Sequence, residues 1–138
     1  MKKKILVADD DPDTLEQVTA TLSAAGYEVV PVEDRTAAEE EMLRSKPDLA
    51  IFDLMMEEKD TGFTLSYQIK KLYPDTPVLM LTAVNSATGL SFAAQHAEAR
   101  AWTRVDKILD KPVRPEQLRA EVRRLLREGS EGTTGTQS

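Results

Sequence analysis

Three carboxylates, a hydroxyl and an ammonium group recur in one kind of place along this 138-residue chain. Asp9 and Asp10 follow the apolar run Ile5-Leu6-Val7-Ala8, and Asp53 follows Leu49-Ala50-Ile51-Phe52. Thr82 follows Val78-Leu79-Met80-Leu81, and Lys111 comes shortly after Lys107-Ile108-Leu109. If these four runs are parallel strands, their carboxyl ends share one rim, the edge at which open α/β sheets hold their ligands. Carboxylates crowded on such a rim raise one another's pKa unless a cation is shared among them. The chain has no cysteine and one histidine, so that cation needs oxygen ligands, which points to Mg²⁺, Mn²⁺ or Ca²⁺, with Mg²⁺ (or Mn²⁺) suiting the set best. Lys111 and Thr82 add the donors that phosphoryl oxygens require. The chemistry that fits the whole set is phosphoryl transfer to a carboxylate, with an aspartate attacking in line.

Each residue also has a duller reading. Asp53 is of a type that commonly ends strands and makes turns. Asp11, directly before Pro12, suits a helix cap better than a ligand. Asp48 suits the turn after Pro47, and Lys111 alone reads as a surface lysine. His96 and Trp102 read as packing residues and are given no site role.

The elements that must position the rim alternate in type. Short apolar runs without alternation suit strands buried on both faces. The run from Ile5 to Ala8 is the first, and Tyr27 to Val32, rich in β-formers, is the second. Leu49 to Phe52, Val78 to Leu81 and Lys107 to Leu109 follow. Between them, Leu15, Val18, Leu22 and Ala25 repeat at helical spacing after Pro12, with Gly26 as the stop. A second helix is expected over Thr36–Arg44, with Ala38 and Met42 inward. A third is expected over Phe63–Tyr73, with Leu65, Ile69 and Leu72 on its inner face. A fourth, alanine-rich helix is expected over Leu90–Trp102. The last carries Leu118, Val122, Leu125 and Leu126, the most regular amphipathic pattern in the chain. Five strand-helix repeats with short connections call for an α/β fold, a five-stranded parallel sheet wound with helices on both faces. Residues 1–128 are expected to form one domain, and 129–138, which lack any apolar residue, a disordered tail.

Composition sets the outer bounds. Apolar content of 41% with 30% charged residues is that of a soluble globular domain. No apolar run nears the ~20 residues that span a bilayer. The run after Lys2-Lys3-Lys4 is too short for a signal peptide, so a cytoplasmic location without membrane contact is expected. A net charge of −6 speaks against nucleic-acid binding.

In this order and spacing, Ile5-Leu6-Val7-Ala8-Asp9-Asp10-Asp11, Pro47-Asp48-Leu49-Ala50-Ile51-Phe52-Asp53, Leu81-Thr82-Ala83 and Asp110-Lys111-Pro112 resemble the receiver domain of two-component response regulators. The resemblance covers about residues 3–127. It implies the doubly wound, flavodoxin-like (βα)5 fold. It implies that Asp53 is the phosphoacceptor for a histidine kinase, and that Asp9 and Asp10 are the acidic pair holding Mg²⁺. Asp10 and Asp53 would bind the metal directly, Asp9 through water, and Met55 by its backbone carbonyl. Thr82 would be the switch hydroxyl, with small Ala83 leaving access open. Lys111 would pair with the phosphoryl oxygens, aimed by a cis bond to Pro112. Signalling would leave by the face that the fourth and fifth helices form with the fifth strand, toward a downstream protein. The chain would act as a stand-alone switch similar to chemotaxis regulators, a monomer or a phosphorylation-linked dimer, and not as a turnover enzyme.

Three features depart from that family. The loop Glu57-Glu58-Lys59-Asp60-Thr61-Gly62 lacks the usual proline and is one residue longer. The span from Thr82 to Lys111 is longer by roughly two helical turns, about seven residues. The extra length falls in Ser86–Asp106, and an extended fourth helix serving a particular partner is expected there. Finally, Ile108 stands where the family often has an aromatic residue coupled to the hydroxyl. Two other functions compete. A haloacid-dehalogenase-like Mg²⁺ phosphohydrolase would use Asp9-Asp10-Asp11, Thr82 and Lys111, but would lack its later acidic pair and leave Asp53 idle. A non-phosphorylated adaptor of the same fold would leave the whole set without a purpose.

Overall fold

The structure is a computed structural model, and it describes residues 2–54, 61–83 and 105–131. Five strands form one parallel sheet in the order β2-β1-β3-β4-β5. They are β1 (Lys4–Ala8), β2 (Glu28–Val32), β3 (Leu49–Asp53), β4 (Val78–Ala83) and β5 (Lys107–Lys111). All five residues of central β3 are buried, as expected for an apolar run covered on both faces. On edge strand β2 the exposed Pro31 costs nothing, because no further strand needs its missing N–H.

Helices α1 (Pro12–Ala24), α2 (Arg35–Arg44), α3 (Thr61–Leu72) and the C-terminal α4 (Pro115–Glu131) cover the sheet. Side chains leave the strands alternately, so each strand feeds two cores. Ile5, Val7, Ile51, Leu81 and Leu109 pack with Leu15, Val18 and Leu22 of α1 and Leu118, Val122 and Leu125 of α4. Leu6, Ala50, Phe52 and Met80 pack on the other face with Ala38 and Met42 of α2 and Leu65 and Ile69 of α3. The α/β class, the parallel sheet and the two-sided helical cover are therefore as expected from the periodicity.

The helix ends refine the expected boundaries. Asp11 caps α1 by accepting the Asp13 N–H, with Pro12 in the first turn. Gly26, at φ 99°, turns the chain out of that helix in the left-handed conformation. Helix α2 begins one residue earlier than its periodicity indicates, because Asp34 caps it through the Ala37 N–H. Helix α3 begins at Thr61, taking in two residues expected in the loop, and its inner face is shorter than expected. Leu72 is 43% exposed, not inward, and Tyr73 ties the end of α3 to α2 by donating its hydroxyl to the Met42 carbonyl. Asp48 does serve its turn, where its carboxylate accepts the Lys4 N–H. The expected helix over Leu90–Trp102, with His96, and residues 132–138 of the tail lie outside the described residues. Helix α4 runs through the first three residues assigned to that tail, as far as Glu131.

Candidate functional site

Parity along the strands assembles the site. Asp9 lies two residues beyond Val7, Asp53 two beyond Ile51, and Lys111 two beyond Leu109, and all three apolar residues belong to the core under α1 and α4. Each polar residue therefore leaves the carboxyl edge toward the same side. Lys111 Nζ lies 3.1 Å from Asp9 Oδ2 and 3.3 Å from Asp53 Oδ1. Asp10 is exposed beside them, and one carboxylate oxygen each from Asp9, Asp10 and Asp53 falls within 4.8 Å of the others. The peptide bond between Lys111 and Pro112 is cis, as the resemblance implied.

Thr82 is also buried on this rim, one residue past the register pair of Asp53 with Leu81. Its parity is that of Met80, so it leaves β4 toward the α2 and α3 side. Ile108 is half-buried against that same core. Met55 lies outside the described residues, as do residues 57–60 of the loop that departs from the family.

Burial and like charge dominate the electrostatics. Asp53 is 6% exposed, and its carboxyl is pushed up to about 7, first by burial and then by the Asp9 charge, against the opposing pull of Lys111. Burial works against the Lys111 ammonium, but Asp53 and Asp9 outweigh it and hold its pKa above the usual lysine value. One lysine thus faces two buried carboxylates and an exposed third. Asp9 Oδ1 accepts the Asp11 N–H, whereas buried Asp9 Oδ2 has no directional hydrogen bond despite its ion pair. That spare lone pair, beside two further carboxylate oxygens, is a donor set that fits a hard divalent cation.

Gly62 is the functional position that sequence reasoning missed. A Cβ there would lie 2.6 Å from Leu54 Cα and 2.8 Å from the Asp53 carbonyl oxygen. Its N–H donates to the Leu54 carbonyl at 2.8 Å. The first turn of α3 therefore rests on the backbone of the site residue itself. A glycine after a polar loop gives the same sequence signal as any turn glycine, which is why it reads as loop.

Parallel topology, two helical layers and acidic residues converging with a lysine at the carboxyl edge define a receiver-type signalling domain. The family model described as the response regulator receiver domain matches residues 5–123, and this chain belongs to that family. Receiver domains are signalling domains of two-component systems, and the membership weighs against the phosphohydrolase alternative. A probable transcriptional regulator from Cyanophora paradoxa, ycf27, is 34% identical over 99% of this chain and 54% of its own length. The regulatory protein VanRc of Enterococcus gallinarum is 36% identical over 92% of this chain and 51% of its own. The chain thus spans about half the length of these relatives. Among solved structures, a CheY-like receiver domain protein of Methanospirillum hungatei superposes with a TM-score of 0.82 at 23% identity, covering 96% of this chain and 99% of that one. The chemotaxis regulator CheY4 of Vibrio cholerae gives 0.78 at 26% identity, covering 91% and 99%.

Proposed function

We propose that Asp53 accepts a phosphoryl group from a histidine kinase and that this modification switches the affinity of the domain for a downstream protein. The observation that carries the reading is the bridging of Asp9 and Asp53 by Lys111, with Asp10 alongside. An Asp53 oxygen attacks the phosphorus of a phosphohistidine; an O–P bond forms, the N–P bond breaks, and the electron pair returns to the imidazole. Asp9, Asp10 and Asp53, with the Met55 carbonyl, would hold Mg²⁺ or Mn²⁺, which neutralises charge on the transferring group when bound. Lys111 changes partner in the step, from the ionised Asp53 to the oxygens of the new phosphoryl group. Thr82 supplies a hydroxyl to the same oxygens, which requires its side chain to turn toward the Asp53 side of the sheet.

A cleft of about 670 Å³ between α1 and α4 opens beside Lys111 and is lined by Thr14, Val18, Leu81 and Leu118. It gives a phosphodonor an apolar approach to the rim. Output runs, on this reading, through the segment after β4 together with β5 and α4, and the usual aromatic reporter is replaced by Ile108. The domain extends to the end of α4 at Glu131, three residues past the expected boundary, and turns over no substrate. It works in the cytoplasm as a monomer or a phosphorylation-linked dimer. With a net charge of −6 we place no DNA or membrane contact on it, and among the described residues no helix is long and apolar enough to cross a membrane. Borohydride reduction after treatment with acetyl phosphate and Mg²⁺ tests the assignment, because an aspartyl phosphate becomes homoserine. Homoserine at position 53 is expected, and homoserine at any other aspartate would overturn it.

A further inference from the structure

A second groove, which the phosphoryl chemistry does not use, lies between α1 and the edge strand β2. Its volume is about 350 Å³, and exposed Pro12, Ala20 and Pro31 line it together with buried Leu15. Glu16 of α1 and Glu33, directly after β2, are its exposed charged walls. The Thr19 hydroxyl also lines it and has no hydrogen-bond partner. Helical spacing separates this groove from the cleft beside Lys111. Thr14, Gln17 and Thr21 line that cleft, whereas Glu16 and Thr19 fall on the opposite face of α1. Strand β2 is also two strands removed from β3, which carries Asp53.

The charge around the groove has one sign. From Ile5 through Asp34 the chain has eight acidic residues and neither lysine nor arginine. The Glu16 and Glu33 carboxylates enter no ion pair or hydrogen bond among the described residues. The cations of adjoining elements are held elsewhere. Lys111 pairs with Asp9 and Asp53. Lys3 and Lys4 lie at the amino end of β1, whereas Glu33 follows the carboxyl end of β2, and Lys4 pairs with Glu41. Arg35 belongs to α2, over the opposite face of the sheet, and pairs with Glu39 at 3.0 Å. Arg114 and Arg119 stand at the start of α4, across the Lys111 cleft from α1.

We infer that this groove docks a basic protein segment, with an apolar side chain against Pro12, Ala20 and Pro31 and lysines or arginines reaching Glu16 and Glu33. Charge complementarity selects that occupant. Nucleic acids and anionic bilayers are repelled by the same carboxylates. Strand addition at β2 is disfavoured as well. The Glu28 N–H and the Val32 carbonyl both bond on the β1 side, so the backbones of Val29 and Pro31 face the free edge. Pro31 has no N–H to donate there, and an added strand would lose a ladder bond at mid-strand. The segment is therefore held by its side chains. None of these contacts involves Asp53, so docking stands apart from the phosphoryl chemistry.

The test uses the full chain in EDTA and a fluorescent peptide of alternating lysine and leucine, followed by anisotropy. Glu16→Lys/Glu33→Lys is compared with Glu40→Lys/Asp75→Lys, which makes the same change of net charge away from the groove. All four positions are exposed, so melting curves close to wild type are expected. The groove pair is expected to weaken binding about tenfold or more beyond any loss in the control pair. Replacing the leucines of the peptide by serine is expected to weaken binding about fivefold or more. Asp53→Asn is expected to bind like wild type, whichever way the phosphoryl assignment falls. No binding by wild type, equal losses in the two charge pairs, or a serine peptide that binds as well as the leucine peptide would overturn the inference. So would affinity lost in Asp53→Asn, or self-association of the chain that Glu16→Lys/Glu33→Lys abolishes.

Discussion

Gly62→Ala separates two opposite expectations for one methyl group. In an open helical position the change stabilises a protein by about 1 kcal/mol, since alanine loses less backbone freedom on folding. Here the new Cβ would meet Leu54 Cα at 2.6 Å and the Asp53 carbonyl oxygen at 2.8 Å. Ordinary contact begins at 3.4 Å, so the first turn of α3 must lift from the end of β3 by the remaining 0.8 Å. Both obstructing atoms are backbone, held by the Gly62-to-Leu54 and Leu54-to-Leu81 hydrogen bonds, so no side chain can swing aside. Overpacking of this kind costs about 1–3 kcal/mol after relaxation. At roughly 3–4 °C per kcal/mol for a domain of this size, the melting temperature falls by about 3–12 °C. Thermal and urea unfolding measure the loss. Phosphorylation by acetyl phosphate, followed by intact mass, is expected to slow as well, because the strain falls on the backbone of Asp53. A Gly62→Ala protein as stable as wild type, or more so, would refute the packing of α3 on the site.

Four further outcomes follow from the structure. Lys111→Met leaves Asp9 and Asp53 facing each other without a cation, so stability at pH 8 is expected to drop by about 1–3 kcal/mol in urea titration. The loss should shrink at pH 5, where Asp53 is protonated. For Asp53 itself, a folded pKa of about 7 against an ordinary 3.8 means that the folded state holds its proton more tightly than the unfolded chain. Its contribution to stability is full below about 3.8 and is lost as pH rises through 7. Asp53→Asn is therefore expected to flatten the pH profile of unfolding over that window and to be the more stable protein at pH 8. Mg²⁺ is expected to stabilise wild type more at pH 8 than at pH 5, and Asp53→Asn less, by calorimetry. Asp106 accepts the Val78 N–H at 2.7 Å and pairs with Lys70 at 2.9 Å, so Asp106→Ala should cost about 1–2 kcal/mol of unfolding free energy.

Most of the site was legible because parallel strands impose one rule on distant residues. Uninterrupted apolar runs mark strands buried on both faces, and whatever polar residue ends each run must lie on one edge. Asp9, Asp53 and Lys111 satisfy that rule with matching parity, which is why three unremarkable residues read as a set. Thr82 satisfies the edge but not the parity, and only the register of β3 with β4 reveals this. Gly62 was not legible, since its requirement comes from the closeness of a backbone 8 or 9 residues earlier and not from any local turn. Leu72 misled for a related reason. Helical periodicity places it with Leu65 and Ile69, but α3 ends at that residue and the neighbouring Tyr73 makes the tie to α2. Periodicity describes a continuing helix and says nothing about where its inner face runs out of core.

The most direct test of the role of Asp53 is intact mass spectrometry of wild type and Asp53→Asn after incubation with acetyl phosphate and Mg²⁺. Wild type is expected to gain the mass of one phosphoryl group, with the gain abolished by EDTA and absent from Asp53→Asn. No gain in wild type under these conditions, or an equal gain in the variant, would contradict the assignment of Asp53 as the phosphoacceptor.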